Sequence, residues 1–101
     1  MGYKKEQTTD FGMTYDYWNI DSFNVSYING NGIVDVIFAG YLSQEARLNG
    51  SECYRKINQQ IPFEVFLQGF TKMIGFSDKD IKDALYTLKE YYEFFKDAED
   101  V

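Results

Sequence analysis

Histidine is missing from this chain of 101 residues. The commonest general base at neutral pH and the commonest zinc ligand are therefore both absent. The single cysteine, Cys53, cannot form an internal disulfide, and without an imidazole to activate it no nucleophilic role is expected. It alternates with Tyr54 in "SECYRKI", which reads as a half-buried strand position. Basic residues are few, 10 against 16 acids, for a net charge of −6. Nucleic-acid binders neutralise phosphates with Lys and Arg, so this balance argues against a nucleic-acid partner. No apolar run approaches the ~18 residues of a membrane span. The opening "MGYKKEQTTD" lacks the apolar segment of a signal peptide, so no membrane association is expected.

Aromatic residues, by contrast, are abundant: nine Tyr, nine Phe and one Trp, or 19% of the chain. Large rings fill a small core efficiently, and Tyr and Trp also suit contact surfaces. Their spacing suggests where they go. Residues 15–28, "YDYWNIDSFNVSYI", alternate as a strand from Phe23 to Tyr27, but parity breaks earlier, which predicts a bulge near Asp21 and Ser22. "NGNG" at 29–32 has the residue types that tolerate positive φ, so it predicts a tight hairpin turn. In the return strand 33–41, Val34, Val36 and Phe38 share one face, with Asp35 opposite, near the turn and solvated. Residues 52–61 alternate partly and carry charge, as an edge strand would.

Pro62, the only proline, suits the first turn of a helix. Phe63, Phe66, Leu67, Phe70 and Ile74 follow at helical spacing, with Gly75 as the stop. The strongest helical pattern runs from 77 to 97. Ser77 and Asp80 form a capping-box signature, and Ile81, Leu85, Leu88, Tyr92 and Phe95 make an apolar stripe widened by Ala84 and Tyr91. Residues 1–14 read as a flexible N-terminal arm, and the tail "DAEDV" as loose. The expectation is one α+β domain over 15–101. It has a small antiparallel sheet of three or more strands, a β-hairpin first, and two C-terminal helices packed on one face.

Chemistry-bearing patterns are sparse. "NGNG" joins two strands and lacks the Lys-Ser/Thr of a phosphate-binding loop. "SDKDIKDALYTL" lacks the central Gly and closing Glu of a calcium loop. A Ser-Lys pair has no local signature. No catalytic residue, metal site or cofactor is expected, and the chain reads as non-enzymatic. "SQEARLNG", 43–50, is one helical turn or a wide loop closed by Asn49-Gly50. Glu45 and Arg47 lie two apart and point to different sides. A solvated connector and a protein-contact loop both remain open there. By residue type and position, the candidate protein-contact residues are Trp18, Tyr41, Glu45 and Arg47.

The stretch "YWNIDSFNVSYINGNGIVDVIFAGYLSQEARLNG", with Gly40-Tyr41, Glu45-Ala46-Arg47 and Gly50, and the acidic ending "FKDAEDV" resemble small proteins of tailed phages and prophages. The likeness covers about half of the chain, in two patches, and its motifs are structural rather than catalytic. The helical half at 62–95 is longer than in those proteins. The resemblance implies a small virion component of the tail, baseplate or neck that acts by assembly. Its partners would be itself, as a homo-oligomer, or other virion proteins, in the virion or the host cytoplasm. The alternative is an acidic phage-encoded inhibitor of a host protein that imitates nucleic-acid charge. Lysines at 72, 79, 82, 89 and 96 interrupt the negative face such a mimic needs.

Overall fold

A computed structural model describes residues 2–70 and 77–101. The elements run β1 (Tyr3–Thr8), β2 (Thr14–Ile28), β3 (Asn31–Tyr41), α1 (Gln44–Leu48), β4 (Arg55–Pro62), α2 (Phe63–Phe70), α3 (Asp78–Tyr86) and β5 (Glu99–Asp100). The five strands form one antiparallel sheet in the order β4-β3-β2-β1-β5. The architecture is α+β, with β4 at an edge as expected. The Gly75 stop and Ile74 lie outside the described residues.

The β2–β3 hairpin turns through Asn29 and Gly30, at φ 52° and 80°. Positive φ at both central residues is what a two-residue turn needs to match strand twist, and Asn-Gly meets it at least cost. The bulge falls at Asp21: Ile20 pairs with Phe38 but Ser22 pairs with Ile37. This one-residue slip is the parity break seen in the sequence, and it keeps both Ile20 and Phe23 on the inner face.

The inner face of the sheet carries Tyr3, Trp18, Ile20, Val34, Val36, Phe38 and Ile61. It packs on Phe66, Leu85, Leu88, Tyr92 and Phe95 from the helical half. Much of this core is ring on ring, with Phe38 and Phe95 centroids 4.5 Å apart and Trp18 edge-on to Phe94 and Phe95. Gly40, opposite Trp18 in the ladder, makes this stacking possible. A Cβ there would sit 2.8–2.9 Å from the Tyr15 and Trp18 rings. Gly40→Ala is therefore expected to destabilise the fold by about 1–3 kcal/mol, since these buried rings can yield only by leaving their rotamers. Urea unfolding followed by circular dichroism checks this; an unchanged midpoint would contradict it.

On the outer face Asp35 is half-buried, and its carboxylate accepts from the Asn58 and Gln60 amides at 3.1 and 2.9 Å. It is held in place rather than simply solvated. Cys53 is half-buried as expected but precedes β4 rather than lying in it.

Three expectations need correction. The described part of the N-terminal segment, residues 2–14, is not a loose arm. Tyr3–Thr8 forms β1, whose inner positions include Tyr3, fully buried, and Lys5, whose ammonium lies over the Phe94 ring with Nζ 4.3 Å from its centroid. One aromatic anchor and a lysine tied to the Phe94 carbonyl and Asp97 suffice because both flanks pair. The sheet thus begins well before residue 15. Nor is the tail loose: Glu99–Asp100 pairs with β1, and Gly2 and Val101 exchange backbone hydrogen bonds of 2.9 and 3.0 Å. Lys5 and Lys89 offset the local acidity through Asp97 and Asp100.

The last correction concerns the helix begun at Ser77. Its capping box forms as expected, but α3 ends at Tyr86, and 3₁₀ turns follow at Lys89–Tyr91 and Glu93–Phe95. Side-chain hydroxyls take its last carbonyls. Thr87 donates to Ala84 O at 2.6 Å, Tyr92 to Leu85 O at 2.7 Å and Tyr3 to Tyr86 O at 2.6 Å. Hydroxyls that bond these carbonyls compete with helix continuation. The apolar stripe still reaches the sheet, because the 3₁₀ turns keep Leu88, Tyr92 and Phe95 on one side.

Candidate functional site

The register places the β1–β2 loop, Tyr15, Tyr41 and the start of β4 at one end of the sheet, and the Asn29-Gly30 turn at the other. The first of these ends, here the loop end, exposes an unusual share of apolar side chains. Phe11 is 94% exposed, and Met13, Leu42, Leu48 and Tyr54 are also exposed.

Local bonding holds Phe11 in a shaped turn. Thr9 N–H donates to Met13 O at 2.7 Å, Met13 N–H donates to the Thr9 hydroxyl at 3.1 Å, and Gly12 N–H donates to Thr9 O at 3.0 Å. Gly12 supplies the positive φ, 81°, that the turn requires. Beside the turn opens a cleft of about 600 Å³, lined by Asp10, Phe11, Met13, Tyr15, Tyr54 and Arg55. Tyr54 packs edge-on against Tyr15, with centroids 5.4 Å apart, and so fixes the cleft wall. Among the described residues neither Asp10 nor Arg55 takes part in an ion pair. An aromatic, a thioether, two tyrosines and an arginine are the side chains that dominate binding at protein interfaces.

The four contact residues expected from the sequence do not assemble into one patch. Trp18 is a correction. It is fully buried, its indole N–H donates to Lys5 O at 3.0 Å, and its ring packs among Tyr15, Phe94 and Phe95. A ring of this size joined two strands to the helical layer, so it went inside. Tyr41 is half-buried at the end of β3, across from Tyr17. Glu45 and Arg47 are exposed in the first and last turns of α1, signs that suit the helix dipole. Ser43 caps this helix by accepting from Ala46 N–H. Arg47 reaches a separate cleft of about 240 Å³ near the start of α3, shared with Asn19, Asp78, Lys82, Asp83 and Tyr86.

Sequence reasoning did not single out Phe11, Met13, Tyr54 or Arg55. Phe11 is the one aromatic residue between Tyr3 and Tyr15, set in the mostly polar stretch "TTDFGMT", and that signal was available.

Tyr86 shows how the second cleft is built. Its hydroxyl accepts from Ile20 N–H at 2.6 Å and from the Asn19 amide at 2.9 Å, beside the β2 bulge. Burial pushes its pKa up to about 12, against a smaller lowering by the Ile20 bond. It is a neutral strut rather than a proton carrier at neutral pH. A third cleft, about 620 Å³, lies by the hairpin turn between Tyr27 and Phe63, with Glu64 on its rim. Among the described residues no three His, Cys, Asp or Glu side chains are placed to hold a metal ion, and no helix is long and apolar enough to cross a membrane. No family model, curated protein or solved structure matches the chain.

Proposed function

We propose that this chain is a non-enzymatic protein that works by protein–protein contact through the loop end of its sheet. The setting is the one its sequence resemblance implies, as a small component of the tail, baseplate or neck of a phage particle. The observation that carries the reading is Phe11: a large ring, 94% exposed, on a turn tied by three hydrogen bonds. An exposed aromatic on a preorganised turn loses little entropy when a partner covers it.

The second reading, an acidic inhibitor that imitates nucleic acid, has less support. Lys82 pairs with Asp78 and Lys96 with Glu93 at 3.1 Å each, so the acids of the C-terminal half present no uniform negative face.

Gradient sedimentation of lysates from cells producing the particle tests the proposal. The wild-type chain is expected to travel with particles or their assembly intermediates, and Phe11→Ser is expected to be lost from them. A chain that stays at the top of the gradient and captures a single host protein would favour the inhibitor instead.

A further inference from the structure

We propose that the loop-end cleft receives a second copy of this chain, docked about a two-fold axis so that each Phe11 enters the partner's cleft. The proposal rests on the loop end being the contact surface and goes further by naming the occupant. In a two-fold contact the same patch meets itself, so a knob must lie beside a hole of matching chemistry. The loop end has both. Phe11 projects from the turn, and the neighbouring cleft of about 600 Å³ is walled by Met13, Tyr15 and Tyr54. Its ring and sulfur surfaces offer the apolar, adaptable contacts that a phenyl ring fills well.

Charge points to a second copy as well. Two chains of net charge −6 repel each other unless their contact patch is locally balanced. The loop-end cleft carries one acid, Asp10, and one base, Arg55. Neither is engaged in an ion pair among the described residues. A two-fold axis through the cleft pairs Asp10 of each copy with Arg55 of the other, two reciprocal ion pairs flanking the inserted rings. Arg55 suits this role because its guanidinium can meet a carboxylate with two parallel hydrogen bonds. The cleft by the hairpin turn fails the same test. Its one charged lining residue is Glu64, so self-contact there would bring like charges together.

Sedimentation velocity over a hundredfold range of concentration tests the proposal. Four chains are compared: wild type, Phe11→Ser, Arg55→Asp, and the double swap Asp10→Arg with Arg55→Asp. All three positions are exposed, so thermal unfolding midpoints should stay together and report that each variant folds. Wild type should pass from monomer to dimer, and Phe11→Ser and Arg55→Asp should each weaken the dimer by about tenfold or more. The double swap should recover most of the wild-type affinity, which a merely structural role for either charge would not produce. A wild-type chain that is monomeric throughout overturns the proposal. So does a dimer indifferent to Phe11→Ser, or a double swap weaker than Arg55→Asp alone. If the wild type is monomeric while Phe11→Ser still loses its place on particles, self-docking falls and the assembly function stands. If the chain neither dimerises nor joins particles, both fall.

Discussion

Trp18→Ala is expected to cost about 3–5 kcal/mol of folding stability, the range for truncating a large buried ring. A chain of this size has a total stability on the order of 5–15 kcal/mol, so the variant should sit close to unfolding at room temperature. Three losses combine at this site. The indole leaves a void against Tyr15, Phe94 and Phe95. The Lys5 carbonyl loses its 3.0 Å donor. Gly40, which has no side chain, cannot help fill the space across the ladder. Urea unfolding followed by near-ultraviolet circular dichroism measures the change. A cost below about 1 kcal/mol would fit a surface residue rather than this core position.

Alkaline pH should unlock the same core. Burial raises the pKa of Tyr3 and Tyr92 well above the ordinary tyrosine range, with weaker pushes from neighbouring acidic groups, and Tyr86 is raised to about 12. In the unfolded chain these phenols titrate near ~10. A group whose folded pKa is raised contributes stability that is complete below the unfolded value. That contribution is lost as pH climbs toward the folded value, because there the unfolded state binds fewer protons. Stability should therefore hold level up to about pH 9.5 and fall steeply above 10. For Tyr86 alone the rise to about 12 corresponds to on the order of 3 kcal/mol, lost by pH 12. Phenolate absorbance should show the matching behaviour: Tyr3, Tyr86 and Tyr92 titrate only as the chain unfolds. Titration of these three phenols near pH ~10 with the fold intact would contradict the buried hydroxyl bonds to Leu85, Tyr86 and Ile20.

Much of the sheet was readable because its determinants are local. Asn29-Gly30 marks the hairpin through a backbone requirement that few other pairs meet. The parity break before Phe23 marks the bulge, and Val34, Val36 and Phe38 mark the inner face. Ser77 and Asp80 mark a helix start that their own side chains make. What could not be read depends on partners distant in sequence. β1 has a single apolar anchor and is a strand because β2 and the C-terminal residues bond to either side of it. α3 stops where hydroxyls from Tyr3 and Tyr92 take its carbonyls, and no helical period carries that information. Trp18 suits an interface and a core equally by residue type, and only its place opposite Gly40 decides between them. The loop-end cleft joins Phe11 to Tyr54 and Arg55, which meet only after the sheet has formed.

Photo-crosslinking from position 11 tests the central claim, that this protein works through the loop end, most directly. A photoreactive phenylalanine analogue replaces Phe11 in one chain and Leu67, an exposed residue of α2, in another. Both chains are irradiated in the cells that produce them. Position 11 should give discrete crosslinked species and position 67 none of comparable yield. Equal yields from the two positions, or no product from position 11, would contradict the account.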